Sequence, residues 1–85
     1  MNQLQKQYAL KKAEWDTALE NISKISEDTL DAIEDDLIDA EEALVEWSIQ
    51  VAEKAGMTKE DADALRKNRV IYSDQLIDKA MRLNA

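Results

Sequence analysis

The sequence predicts an all-α protein, an antiparallel bundle of three helices forming one domain over residues 1–85. Three observations predict it. Apolar residues recur at alternating three- and four-residue steps, no stretch alternates polar and apolar between turn residues, and the 85 residues include one glycine and no proline. The recurring positions are Leu4, Tyr8, Trp15, Leu19 and Ile22, then Leu30, Ile33, Leu37, Ala40, Leu44, Trp47 and Val51. Such a seam lays one helix against another.

The first helix is predicted over about 2–25, with a narrow stripe of Leu4, Trp15, Ile22 and Ile25. Its end is soft. Ser26, followed by Glu27 and Asp28, reads as a cap with two acids at the positive end of a helix dipole. No glycine or proline compels a break there. The alternative is therefore one long helix plus a shorter one, paired as a coiled-coil dimer. Its seam would cross Ser26 with a four-four step, which locally unwinds a coiled coil.

The second helix is predicted over about 27–55 and is wider. Ile38, Val45, Ile49 and Ala52 flank the Leu37–Leu44–Val51 line, so this helix must touch neighbours on two sides. Gly56 then offers a left-handed closure with Met57 as its hydrophobic contact. Thr58 is the expected cap of the next helix, with Asp61 placed to reach back as a capping box. The third helix is predicted over about 59–83, its apolar face made by Leu65, Tyr72, Leu76, Ala80 and Leu83.

A core this small leaves little surplus over the entropy of ordering the chain, so self-association, most simply a homodimer, is expected. Leu37, Leu44, Trp47 and Val51 are the seam residues expected to carry it, with Trp47 as interface anchor. Leu10 and Ile71 fall off their helices' main faces, as plain exposed residues or parts of a second contact surface.

Composition excludes much chemistry. Without cysteine or histidine there is no zinc finger, disulfide framework, catalytic thiol or imidazole base. A single glycine leaves no phosphate-cradling loop, and a thin bundle rarely encloses a pocket around paired carboxylates. The expectation is a non-enzyme without cofactor or metal. Weak divalent-cation binding is the most the acids would support, because no EF-hand spacing occurs. Apolar runs are too short for a membrane span and no basic, apolar leader opens the chain, so a cytoplasmic location is expected.

Charge is the most informative feature. Nineteen acids against eleven Lys/Arg give −8 overall, and residues 27–61 alone carry thirteen acids and two lysines. Asp28, Asp31, Asp35, Asp39, Glu42, Glu46 and Glu53 share one face of the second helix, opposite the apolar seam. Like charges at i,i+4 destabilise an isolated helix, and no lysine interrupts the row between Lys24 and Lys54. A solvated face is the plain explanation. The sharper one is a partner-binding ladder for a basic protein surface. Carboxylates about 5–6 Å apart approach phosphate spacing, so the rod could mimic nucleic acid and inhibit a DNA- or RNA-binding protein. Small acidic helical viral inhibitors offer a class-level analogy only. The alternative function is a homo-oligomeric assembly protein.

Direct nucleic-acid binding is not expected. The one basic cluster, Arg66-Lys67-Asn68-Arg69, is short and is expected to complement the acidic helix, with Arg66 or Arg69 reaching Glu34 or Glu41.

Overall fold

A computed structural model of the chain describes residues 2–83. The protein is all-helical, with α1 (Gln3–Glu20), a 3-10 turn (Ile22–Lys24), α2 (Glu27–Lys54), α3 (Lys59–Lys67) and α4 (Arg69–Arg82). Four α-helices therefore stand where three were expected.

The starts of α1, α2 and α3 have a local cause. Asn2 and Gln5 form a reciprocal capping box at α1, and the Ser26 hydroxyl accepts from the Thr29 amide at 3.2 Å to open α2. Thr58 accepts from the Asp61 amide at 3.2 Å, but no bond returns from Asp61 among the described residues. Aspartate is one methylene shorter than the glutamate usual in that role.

Two breaks were hidden because neither uses glycine. At Asn21 and at Asn68 the side-chain amide donates to the carbonyl four residues back, Thr17 at 2.9 Å and Ala64 at 3.0 Å. Both asparagines leave helical geometry in nearly the same way, at φ −112°, ψ 25° and φ −105°, ψ 24°. At both asparagines the backbone amide keeps its own bond to that carbonyl, and the side chain adds a second donor there as the backbone leaves helical geometry. So α1 stops at Glu20 rather than near residue 25, and the expected 59–83 helix is divided. The single long helix through Ser26 is also overturned, since Ile25 and Ser26 are extended. The Gly56 closure follows expectation. At φ 118° its amide bonds to Glu53 and the Met57 amide to Ala52, a Schellman pattern.

α1 and α2 form an antiparallel hairpin. Leu4 and Gln7 lie beside Ala40 and Ala43 at one end, while Thr17 and Ala18 lie beside Ile33 at the other. Ala18, Leu37, Ala40 and Leu44 are buried along α1 and α2. The third expected helix does not simply run back along α2. α3 turns the chain back over the end of α2, and α4 then runs in the same sense as α2: Val70 and Ser73 sit beside Ile38 and Glu42, Lys79 and Leu83 beside Ser48 and Ala52. The break at Asn68 permits this reversal. Val45, Ile49, Ala62 and Leu76, with Met57, Leu65 and Ile77 against them, close the core between α2, α3 and α4. The whole measures 48 × 26 × 15 Å.

Candidate functional site

α2 brings the seven ladder carboxylates onto one face by its 100° step per residue, and α3 then divides them. Arg66 on α3 sits over the lower end. Its Nε donates to both Glu46 oxygens at 3.1 Å, and its Nη2 lies 3.0 Å from Glu46 and 2.5 Å from Glu53. Asp63 adds a longer contact at 3.4 Å. The forked guanidinium suits two carboxylates, and its hydrogen bonds to Glu46 and then Glu53, with their charge adding to them, push its already high pKa up further. Glu46 and Glu53 are thus engaged internally. Arg66 was expected to reach Glu34 or Glu41. The early end of α3 holds it against the last three turns of α2 instead.

The upper ladder is different. Asp28, Asp31, Asp35, Asp39 and Glu42 are exposed, and none makes an ion pair among the described residues. They extend over about 21 Å of helix. Residues 27–42 hold nine acids and no lysine or arginine. Across them Lys11 reaches only Asp36, at 3.7 Å, on the side of α2 that faces α1.

Beside this ladder runs an apolar groove between α2 and the first two turns of α4. Ile38, Val45, Val70 and Ile77 line it, with Glu41, Glu42 and Arg69 at its rim. Glu41 also faces Tyr8, Lys12 and Asp74 on the other side. Burial pushes the Glu41 carboxyl above its ordinary range, with Asp74 adding to the effect and Lys12 opposing it. Burial likewise raises the Tyr8 phenol, with Glu41 contributing.

Of the expected oligomer seam, Leu37 and Leu44 are buried within the protomer, whereas Trp47 and Val51 are half-buried. Leu10 and Ile71 are exposed, as their off-face positions implied. A second hollow, under α3, is lined by Val51, Ala52, Met57, Leu65 and Leu83, with Ser48, whose hydroxyl donates to the Val45 carbonyl, and Lys79 as its polar side chains. Among the described residues no helix is long and apolar enough to cross a membrane, and no cluster of three or more ligating side chains is placed to hold a metal ion.

Two features escaped the sequence reading. The groove's signal was the apolar run Val70-Ile71-Tyr72 directly after Arg69. The signal for a buried Gln5 was its position three residues after Asn2, the spacing of a capping box. Compared with protein families, curated proteins and solved structures, the chain matches none of them, so its function has to be argued from this surface.

Proposed function

We propose that this is a non-enzymatic binding protein whose acidic α2 face docks on a basic surface of a protein partner. One observation carries the reading: five exposed carboxylates, Asp28, Asp31, Asp35, Asp39 and Glu42, stand in a row with no cation among the described residues paired to them. Keeping like charges at i,i+4 costs helix stability, which a partner's lysines and arginines would recover. A partner that binds DNA or RNA would present such a surface, and occupying it would exclude the nucleic acid. Direct contact of this chain with nucleic acid is not part of the proposal, and a cytoplasmic setting is.

The test is a pull-down at low and high salt with the wild-type chain and the Asp31→Lys/Asp35→Lys/Asp39→Lys variant as bait. Basic proteins retained by the wild type, released by salt and absent from the variant are the expected result. Equal retention by both baits overturns the reading and leaves the row as solvation.

A second reading, homo-oligomeric assembly, is favoured by the half-buried Trp47 and Val51. Both lie on the part of α2 that runs past the start of α1. Sedimentation at micromolar concentration separates the readings, because a strict monomer excludes assembly.

A further inference from the structure

We propose that the groove between α2 and the start of α4 seats a basic amphipathic helix of the partner. Its apolar side chains would enter the groove, and its lysines or arginines would lie along the upper ladder. This rests on the docking reading above and names the form the partner takes.

The groove has a floor that water should not cover. Val70 is 89% exposed and Ile38 40%, Ile77 is partly exposed between them, and the buried Val45 lies beneath. Contiguous exposed apolar surface of this kind, rimmed by polar groups, marks interaction sites. Charge lies directly beside it. On the helical wheel Ile38 falls within roughly 60° of Asp31, Asp35 and Glu42, so strip and ladder are neighbouring faces of one helix.

Charge complementarity chooses the occupant. The nine acids of residues 27–42 repel the same face of a second copy of this chain and any nucleic acid. A plain polycation would satisfy the carboxylates and leave the strip in water. A helix with apolar positions at three- and four-residue steps and cations beside them satisfies both, which is groove recognition of an amphipathic helix. From Asp28 to Val45 the surface runs about 26 Å, the length of a helix of about 17 residues.

The experiment uses two labelled peptides of identical composition, leucine and lysine only. One is ordered to be amphipathic as a helix, the other is scrambled. Fluorescence anisotropy at low and high salt follows both against the full chain, Ile38→Ser/Val70→Ser, Val70→Ser alone and the triple lysine variant. The wild type should bind the amphipathic peptide at least about tenfold more tightly than the scrambled one. The groove variants should lose that preference while keeping the salt dependence, and the lysine variant should lose the salt dependence. Val70→Ser changes a side chain that packs on almost nothing, so its folding is not in question. Equal binding of both peptides by the wild type overturns the groove proposal and leaves the acidic docking face standing. If neither peptide binds at low salt, both fail. If the wild type dimerises and Ile38→Ser/Val70→Ser makes it monomeric, the groove belongs to a second copy and the proposal is overturned.

Discussion

The Gln5 side chain ties the two ends of the fold together through Ala80. Its Nε2 donates to the Ala80 and Leu83 carbonyls, each at 2.8 Å, near the end of α4 where helical amides run out. Its Oε1 accepts from the Asn2 amide at 2.9 Å, and its own amide donates to Asn2 Oδ1 at 2.8 Å. One glutamine, 1% exposed, therefore caps the start of α1 and the finish of α4. The contact also requires α4 to end where α1 begins.

Replacing it should be costly. Gln5→Leu takes the side-chain donor from the Leu83 carbonyl and leaves the Ala80 carbonyl with the Leu83 amide alone, and should destabilise by about 2 kcal/mol, lowering Tm by on the order of 10 °C. Gln5→Glu keeps the shape but sets a carboxylate against two carbonyls, so it should be worse at neutral pH and recover partly on acidification. Thermal melts followed by circular dichroism at pH 4.5 and pH 7 check both.

The upper ladder should trade stability for charge. Asp35 has Asp31 and Asp39 one turn away on either side. Asp35→Lys turns two repulsive pairs into attractive ones and should stabilise by about 1 kcal/mol at low salt. Near molar salt, where screening is about 3 Å, the gain should vanish. Urea titrations at both salt concentrations measure this, and a loss of stability at low salt would contradict the unpaired state of the row.

Glu41 should leave a mark on the pH dependence. Its folded pKa is raised by burial and by Asp74. Between its ordinary value near 4.5 and the raised one, the folded chain binds more protons than the unfolded chain. Stability from this group therefore falls as pH rises through that window. Glu41→Gln should remove that fall and make the chain more stable than wild type at pH 7. The difference between the two urea midpoints across pH 4–7 isolates Glu41 from the other acids.

Gly56 tests backbone cost alone. A Cβ there would meet no atom within 4 Å, yet φ is 118°. Gly56→Ala should cost about 1–2 kcal/mol through conformation, with the denaturant slope unchanged. A neutral result would mean that the α2–α3 turn relaxes to another geometry.

What was legible follows from which forces are local. Gly56 and Thr58 announced their turn because capping is settled within four residues, while Ser26 offered a cap without compelling a break. The α2 arc announced two neighbours because 3.6-residue periodicity shows how much of a helix must be covered. The divided third helix was not legible. Asn68 terminates α3 through a bond that asparagine makes only in some contexts, and with Asn21 the same ambiguity cut α1 short. The ladder was legible as a row of acids, but not as two unequal parts.

By itself the sequence determined that the chain is helical, where α2 ends, and that one face of it is acidic, because periodicity, caps and charge act within a turn or two. Tertiary structure decided that α4 runs alongside α2, that Arg66 occupies Glu46 and Glu53, and that Ile38 and Val70 share a groove. Those pairings join residues 13 to 32 positions apart. The Arg66 pairing depends on how α3 folds back over α2 after Gly56, and the two α4 pairings on the angle at which the chain leaves Asn68, which no local pattern of residues encodes.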